Sequence, residues 1–213
     1  MVVTRLAIKP LQALESPFVY FGRLQMDALD ALLNRVSVPR LVEPGPDAAQ
    51  RELLFRAALR APDHAVLRPW RFLTIEGAGR EHLGELFAQA QVAAAEQGAP
   101  DEQQLAKVRA MPLRAPLLIV VIANIQNHFK VPAQEQLLAA GCAAHGILLA
   151  AHVQGIGAVW RTGELAYNAH VAKGLGLSEN EQIIGFLYLG TPERELRTPP
   201  DVPVEDFVSA WPG

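Results

Sequence analysis

Three short polar segments carry the residue types that can bind an anion and a flat polar group. The first is Asn34-Arg35-Val36-Ser37, where a guanidinium and a hydroxyl follow a predicted helix. The second runs from Arg60-Ala61-Pro62-Asp63-His64 to Arg68-Pro69-Trp70, and the third is Val159-Trp160-Arg161-Thr162-Gly163. Such donors suit phosphate oxygens. Each segment alone is typical of a loop cation or a strand end, but together they predict a ligand with a phosphate and a flat polar head.

Other kinds of catalytic site find little support in the residue spacing. The six histidines form no HxxxH pair, and a metal needs three or four converging ligands, so we expect no metal site. Cys142 lies in an apolar stretch and no GxSxG elbow occurs, so we expect no protein nucleophile. The segment Gln154-Gly155-Ile156-Gly157 follows a helix, which is the wrong order for a dinucleotide fingerprint. A plain helix end and a close backbone approach to a flat ligand both stay open there.

The elements that position these segments follow from hydrophobic periodicity and from glycine and proline breaks. Apolar runs predict four strands, at Trp70–Glu76, Leu117–Ala123, Ala158–Thr162 and Ile183–Leu189. Helical spacing predicts six helices, at Met26–Arg35, Asp47–Ala61, Arg80–Gln97, Asp101–Met111, Glu135–Gln154 and Leu165–Lys173. Asp47 with Gln50 predicts a capping box. The pattern predicts one α/β-type domain over residues 26–213.

Composition narrows the class of protein further. The chain has 213 residues, of which 50% are apolar and only 19% charged, against the usual value of about 25%. A formal net charge of −3 gives no basic footprint for nucleic acid. One cysteine cannot form an internal disulfide, and the first 25 residues show no apolar core of signal-peptide length. We therefore expect a cytoplasmic protein.

The shortage of charge is concentrated between Leu137 and Trp160, where no Asp, Glu, Lys or Arg occurs. That length would permit a membrane span. The stretch is nevertheless Ala-rich and holds His145, His152 and Gln154, which favours a buried central helix and no membrane. Small uncharged residues also allow two helices to pack closely against each other. We predict that this stretch and the Pro-rich extended tail at 193–213 form a dimer surface.

Several of these strings, taken in order, carry a family likeness. They are Met26-Asp27-Ala28-Leu29, the three polar segments, Arg114-Ala115-Pro116-Leu117, Lys130-Val131-Pro132 with Glu135, Gly141-Cys142-Ala143, and Gly185-Phe186-Leu187-Tyr188-Leu189-Gly190-Thr191-Pro192. The ordered set resembles the FMN-dependent nitroreductase family, specifically its short NAD(P)H nitroreductases. The likeness runs from Met26 to about Pro203, nearly the whole chain.

The resemblance implies an α+β homodimer with FMN at the subunit interface. Its central sheet would be mainly antiparallel or mixed, with four strands plus a tail strand from the partner, flanked by helices. The family's Arg-Arg-Ser motif falls on Arg35-Val36-Ser37, whose outer members would hold the FMN phosphate and ribityl chain, while Val36 offers only backbone. The polar loop falls on Arg60 and His64, which would reach FMN from the other subunit. The family's Trp-Arg-Ser strand falls on Trp160-Arg161-Thr162.

Three further features follow from the same likeness. The segment that the family assigns to the nicotinamide nucleotide, NADH or NADPH, falls on Ala150, Ala151, His152, Val153, Gln154 and Gly155. Where typical members have Ser and Gln in the polar loop, this chain has Asp63 and Arg68, which bears on its substrate range. Residues 1–25 have no counterpart and are either a genuine extension or an upstream start assigned in error.

The implied reaction is an exchange of hydride in two halves. NAD(P)H gives a hydride to the flavin N5 and leaves, and an electrophilic acceptor such as a nitroaromatic or a quinone then takes the same place. The flavin carries the chemistry, so no catalytic side chain is expected. A cation near the pyrimidine edge would stabilise the reduced flavin, and Arg60 and His64 are the predicted donors. A non-catalytic FMN-binding dimer that stores FMN or senses redox state, and a structural dimer without cofactor, stay open as alternatives.

Overall fold

An antiparallel sheet forms the centre of the chain. The computed structural model describes residues 26–95, 98 and 100–212. The strands are β1 (Leu41–Val42), β2 (Trp70–Glu76), β3 (Leu117–Asn124), β4 (Gly157–Arg161) and β5 (Glu181–Pro192). Strand β5 pairs with β1, β3 and β4, and β2 pairs with β3. The same β5 residues face both β3 and β4, so those two strands lie on opposite edges of β5.

Four of the five strands lie where apolar runs predict them. The bounds of β2 match the prediction, and those of β3, β4 and β5 differ from it by a few residues. Strand β1 escaped prediction because two residues inside a Pro- and Gly-punctuated loop carry no periodicity. The predicted α+β class is confirmed, with every strand pairing antiparallel. The strand that a partner's tail would add stays a prediction.

Each predicted helix has a counterpart in the structure, with ends that differ by a few residues. The helices are α1 (Ala28–Leu33), α2 (Ala48–Ala58), α3 (Ala78–Ala93), α4 (Glu102–Arg109), α5 (Ala133–Val153) and α6 (Ala169–Gly174). The capping box is confirmed, since Asp47 accepts from the Gln50 amide at 2.8 Å and Gln50 accepts from the Asp47 amide at 2.9 Å. The helix predicted over Leu165–Lys173 is wrong at its start, because Asn168 caps α6 and Glu164–Ala166 forms a separate 3-10 turn.

The two ends of the chain bear on two further predictions. The extension predicted for residues 1–25 lies outside the described residues. The predicted extended tail contains one short 3-10 turn, at Val204–Asp206. Its apolar side chains at Val204, Phe207 and Trp211 are 68%, 77% and 90% exposed, so the body of the same chain does not cover them.

Helices cover both faces of the sheet. On one face α2 and α5 pack on alternate residues of β3 and β5, namely Leu117, Ile119, Val121, Leu187 and Leu189. On the other face α3, α4 and α6 pack on the intervening residues, namely Leu118, Val120, Ile122, Phe186 and Tyr188. Strand β3 is therefore buried on both faces, as its continuous apolar run predicts.

Helix α5 uses only one of its faces to pack on the sheet. Ala143, Ala144 and Ile147 are fully buried, whereas Leu138 and Val153 are 63% and 50% exposed. The helix is long and apolar enough to cross a membrane, but half of that stretch is buried inside the protein. Packing on the sheet explains its buried half. The predicted central helix thus has one buried face and one exposed face, which carries no Asp, Glu, Lys or Arg after Glu135 in the first turn.

A bulge in β5 fixes the side chain of Trp160. The β3–β5 register shifts between Val121 and Ile122, which leaves Ile184 without a partner residue across the ladder. The Ile184 carbonyl accepts a hydrogen bond from Trp160 Nε1 at 3.2 Å. The indole lies so close to Gly185 that a Cβ there would overlap Nε1. The Trp160 indole can therefore occupy this position only because Gly185 has no side chain.

We expect Gly185→Ala to destabilise the fold. The added methyl would collide with the Trp160 indole and stand 3.0 Å from the Arg161 carbonyl oxygen. Overpacking of this kind costs about 1–3 kcal/mol of unfolding free energy, measured by urea denaturation. Gly79→Ala is the matched control, because a Cβ at Gly79 meets only ordinary contact at 3.4 Å. Equal stability of the two variants would contradict this account of Trp160.

An ion pair ties β2 to the start of β5 across β3. Arg71 Nη2 donates to Glu181 Oε2 at 2.8 Å and Arg71 Nε donates to the other carboxylate oxygen. The Ser178 amide also donates to Glu181 Oε2, at 2.9 Å. The hydrogen bonds from Arg71 lower the pKa of the Glu181 carboxyl, although burial opposes that shift. The Glu181 side chain is only 7% exposed, so the carboxylate is shielded from water, whereas the Arg71 side chain is 34% exposed.

The lowered pKa of Glu181 predicts a loss of stability in acid. The ionised carboxylate stabilises the fold above the ordinary glutamate pKa of about 4.3, and this contribution is lost as the pH falls through the lower folded-state value. We expect Glu181→Gln to lower the unfolding free energy by about 1–2 kcal/mol at neutral pH and to flatten its acid dependence, measured by urea denaturation. Glu52→Gln is the control, since Glu52 pairs with Arg56 in an exposed position. An unchanged acid dependence would rule out the Glu181 carboxylate as its source.

Candidate functional site

The first polar segment runs from the end of α1 past β4. Asn34 ends α1, and the Val38 amide donates to the Ala158 carbonyl of β4 at 2.9 Å. The chain then reaches the end of β5, where the Glu193 amide donates to the Arg40 carbonyl. The structure therefore places the first and third predicted segments beside each other, although 120 residues separate them in the sequence.

Ser37 lines a cavity of about 230 Å³ that is rich in arginine. The charged residues that line this cavity are Arg40, Arg194, Arg197 and Glu195. The pattern did not predict the two tail arginines, although their position directly after the last strand was a usable signal. A hydroxyl beside guanidinium groups is a donor set that suits a phosphate.

Arg35 lies apart from that cavity, against the last turn of α5. Partial burial, and then the charge of Arg35, lower the pKa of His152. His152 is therefore a neutral imidazole at neutral pH. Its Nε2 is buried and has no hydrogen-bond partner among the residues that the structure describes. One polar atom beside Arg35 is thus left for a ligand or a partner chain.

The third segment places neighbouring side chains on opposite faces of the sheet. Trp160 packs on the α5 face, while Arg161 lies over the Tyr188 ring on the α3 face, with its guanidinium carbon 5.6 Å from the ring centre. Arg161, Thr162 and Tyr188 line a cavity of about 360 Å³. Burial raises the pKa of Tyr188, against the opposing charges of Arg161 and Arg114. The Tyr188 hydroxyl is therefore neutral and can donate.

A third cavity joins the other two. It has a volume of about 440 Å³ and shares Pro39 and Arg40 with the Ser37 cavity. It shares Arg114 and Arg161 with the Tyr188 cavity. The three form one groove, here called the arginine groove, which runs from Ser37 to Thr162. Arg114 is a groove residue that the sequence pattern did not mark as a binding residue.

The polar loop with Arg60 and His64 lies at the other end of α5. His64 Nδ1 is 2.7 Å from Glu135 Oε2 in the first turn of α5, and both side chains are about half exposed. Asp63 Oδ2 accepts from the Arg68 amide at 2.6 Å and closes the loop. Arg60 is exposed. This loop therefore presents a cation and an imidazole to its surroundings.

One chain does not bring all the predicted residues together. Glu135, the partner of His64, and His152, the neighbour of Arg35, stand seventeen residues apart on α5. A helical rise of 1.5 Å per residue separates them by about 25 Å. Within one chain, the Arg60–His64 loop and the Arg35 segment therefore lie at opposite ends of the same helix.

The segment predicted for the nicotinamide nucleotide forms the end of α5. Ala151 is fully buried in the core, so its side chain faces no ligand. Gly155 has φ +72° directly after the helix, which supports its interpretation as a helix end. Gln154 and Gly155 line a cavity of about 420 Å³ together with Asp47 and Gln50 at the start of α2. Only part of the predicted segment is therefore open to a dinucleotide.

Metal ligands and titratable groups add little to the site. The residues that the structure describes contain no group of three or more His, Cys, Asp or Glu side chains that could hold a metal ion. Cys142 is a free thiol on the exposed face of α5. The chemistry available within the described ranges is thus binding by arginine, hydroxyl, imidazole and aromatic groups.

Known proteins place the chain in a family. The nitroreductase family model matches residues 33–191. The chain is 43% identical over 178 residues to "Putative NAD(P)H nitroreductase YdjA" of Escherichia coli (strain K12), which covers 84% of this chain and 95% of that protein.

Solved structures agree on the fold. A nitroreductase-like family protein from Bacillus cereus superposes with a TM-score of 0.73 at 23% identity, covering 87% of this chain and 96% of that one. A variant of the FMN and NADPH-dependent nitroreductase NfnB from Sphigopyxis sp. strain HMH gives 0.68 at 20% identity, covering 88% and 99%. The sequence relationship and the shared α+β fold agree with the likeness of the ordered motifs, and the chain belongs to the nitroreductase family.

Proposed function

We propose that the protein is a homodimeric flavin oxidoreductase that passes a hydride from NAD(P)H through FMN to an electrophilic acceptor. Family membership and the naming of a 43% identical relative as an NAD(P)H nitroreductase support the reaction class. The FMN dependence named for NfnB supports the cofactor. The proposal rests on one observation: the predicted site residues lie at the two ends of α5, about 25 Å apart in one chain. A second copy of the chain would bring the two groups of residues together.

The donor set of the arginine groove fits the phosphate of FMN. The Ser37 hydroxyl and the guanidinium groups of Arg40, Arg194 and Arg197 line one cavity. Arg40 and Arg194 share a single carboxylate, that of Glu193, at 3.6 and 3.8 Å. The positive charge there exceeds the negative charge, which favours an anion. Val36 lines the same cavity and would contribute its backbone.

The exposed face of α5 fits the predicted subunit interface. Leu138, Cys142, His145 and Val153 are exposed and recur at the spacing of one helix face. None of the four is an aspartate, glutamate, lysine or arginine. A second copy running antiparallel along this face would bring Arg60 and His64 of the partner subunit towards Arg35 and Ser37. The exposed apolar tail residues would add to that surface.

Bound FMN would supply the hydride chemistry, accepting from NAD(P)H and giving to a nitroaromatic or a quinone in ping-pong order. The chain's own residues bind and orient: arginine and serine hold the phosphate, and Arg60 with His64 present donors to the anionic edge. Glu135 holds His64 Nδ1 at 2.7 Å, which leaves Nε2 free to point away from α5. A flavin that carries the chemistry requires neither a protein nucleophile nor a metal ion.

Purification separates the reductase from the alternatives. The expected result is a yellow protein whose flavin bleaches rapidly when NADPH or NADH is added without oxygen. A nitroaromatic or a quinone should then restore the colour. A bound flavin that responds to neither nicotinamide would favour an FMN-storing or redox-sensing dimer instead. A colourless protein that does not take up added FMN would exclude both.

Loss of Arg35 should weaken FMN binding. Arg35→Ala removes the cation that the family likeness assigns to the FMN phosphate, although Arg35 lines none of the three cavities of the groove in one chain. A lost charge-assisted hydrogen bond corresponds to about 1.5–3 kcal/mol of binding free energy, or at least tenfold in Kd. The measurement is FMN affinity by fluorescence titration of the stripped protein. Arg56→Ala is the control, because Arg56 pairs with Glu52 on an exposed helix face. Unchanged FMN content and affinity in Arg35→Ala would remove the phosphate assignment.

A charge on the exposed face of α5 should separate the subunits. Leu138→Glu places a carboxylate on a side chain that is 63% exposed in one chain and that the dimer would bury. Sedimentation velocity should show a monomer that has lost FMN. Val92→Glu is the control, since Val92 is 49% exposed on α3, away from that face. A Leu138→Glu dimer with full flavin content would contradict this interface.

The burial of both faces of α5 in such a dimer supports a cytoplasmic location. One face of α5 packs on the sheet, and the other would pack on a second copy. Neither face would then be left for lipid. We propose that the protein works as this dimer in the cytoplasm.

A further inference from the structure

The exposed face of α5 carries a regular seam of side chains. Alternating steps of four and three residues connect Leu138, Cys142, His145, Leu149 and His152, which places them along one line of the helix. The first three are exposed in one chain, and the last two are half-buried. This spacing is typical of a face on which a second helix packs.

The seam is self-complementary about its centre. In an antiparallel pair of α5 helices related by a two-fold axis between residues 143 and 144, Leu138 lies opposite the partner's Leu149. In the same register, Cys142 lies opposite the partner's His145. Leucine then meets leucine, and a thiol meets an imidazole. The order of residues along the seam therefore favours this register.

The two halves of the predicted ligand site give the same register independently. Glu135, which holds His64, and His152, which lies beside Arg35, stand equally far from that centre on α5. An antiparallel copy that brings the His64 loop of one subunit to Arg35 of the other therefore has its axis between residues 143 and 144. Two helices related by a two-fold axis approach each other most closely at that axis.

Four ligands of the kind that zinc prefers meet at this closest approach. Cys142 and His145 are separated by two residues, so about 5–6 Å lies between their Cβ atoms, and the axis doubles the pair. Within the described part of the chain, neither side chain makes a hydrogen bond or an ion pair. From Leu137 to Trp160 the chain has no Asp, Glu, Lys or Arg that could pair with them. Burial of unpaired polar groups in an interface is costly, and a bound metal ion would remove that cost.

We propose that the homodimer binds one Zn²⁺ ion on its two-fold axis through Cys142 and His145 of both subunits. A single chain holds no group of three or more metal-ligating side chains among its described residues, so the site is complete only in the dimer. Each thiol binds as a thiolate and releases its proton to solvent, and each imidazole binds through one ring nitrogen. Two thiolates balance the charge of the ion. With four protein ligands the site is closed to substrate, so the ion links the subunits and takes no part in the reaction.

Metal content and cobalt spectroscopy test the site in the full-length protein. Zinc is measured by mass spectrometry in protein purified without an affinity tag or a chelator, and we expect one ion for two chains. Chelator-treated protein is then titrated with Co²⁺, whose visible bands in a four-coordinate site lie at longer wavelength than flavin absorption. A thiolate-to-cobalt charge-transfer band should saturate at one cobalt for two chains. Absence of the thiolate band would overturn the proposal, whatever the zinc content.

Variants of the two ligands assign the spectrum. Cys142→Ala and His145→Ala each remove two of the four ligands, so the cobalt affinity should fall at least about a hundredfold. Both positions are exposed in one chain, so the substitutions leave its core intact. His82→Ala is the matched control, because His82 is exposed on α3, on the other side of the sheet. A spectrum that is unchanged in Cys142→Ala, or lost equally in His82→Ala, would overturn the proposal.

The proposal rests on the dimer of the proposed function, and two readouts keep their outcomes apart. Sedimentation velocity gives the oligomeric state, and FMN content with NADPH-dependent quinone reduction reports the reductase. A dimer that holds FMN and reduces the quinone but takes up no cobalt would overturn the zinc site alone. A dimer that shows the thiolate band but holds no FMN would contradict the reductase and leave the zinc site standing. A monomer would contradict both.

Discussion

The pairing of β5 with three other strands is the constraint on which the arrangement of the site depends. β3 and β4 lie on its two edges, and β1 pairs with its last two residues. The segment that leaves α1 must therefore pass β4 before it reaches the end of β5, which brings Ser37 to the same groove as Arg161. The tail that follows β5 starts at this point, and for that reason Arg194 and Arg197 line the groove as well. The groove is a product of sheet topology.

Helix α5 sets a second constraint, which acts between chains. Its alanine-rich face packs closely on β3 and β5, while its other face exposes Leu138, Cys142, His145 and Val153 beyond the charged first turn at Glu135. The same helix separates the two predicted halves of the ligand site by about 25 Å. The proposed second copy would both bury the exposed face and join the two halves. The low charged fraction of the sequence would be explained by the same proposed interface.

The sequence alone predicts most helices and strands, but it does not predict which of their residues lie next to each other in space. Apolar runs placed β2 to β5, and Asp47 with Gln50 marked the start of α2, because burial and capping leave local patterns. Strand β1 left no pattern, since its two residues are set by pairing with β5. The opposite directions of Trp160 and Arg161 follow from strand pleating, but the position of the indole depends on the bulge at Ile184. Arg114 precedes β3 in the sequence, and only the structure shows that it lines two cavities together with Arg161 of β4.

The loop that carries His64 shows how departures from the family pattern fit the site. Ala65, Val66 and Arg68 have φ of 61°, 55° and 49°, a region that non-glycine residues avoid at a cost of about 1–3 kcal/mol each. The hydrogen bond from the Arg68 amide to Asp63 closes the loop across these residues. Asp63 therefore supports a strained conformation from within the loop, and Glu135 fixes His64 from outside it. Strain retained in a short exposed segment is typical of functional sites, where it holds a side chain in place before the ligand arrives. Asp63 thus acts on the loop that carries His64 through its side chain, whereas Arg68 contributes its backbone amide, and the bearing of both residues on substrate range stays a prediction.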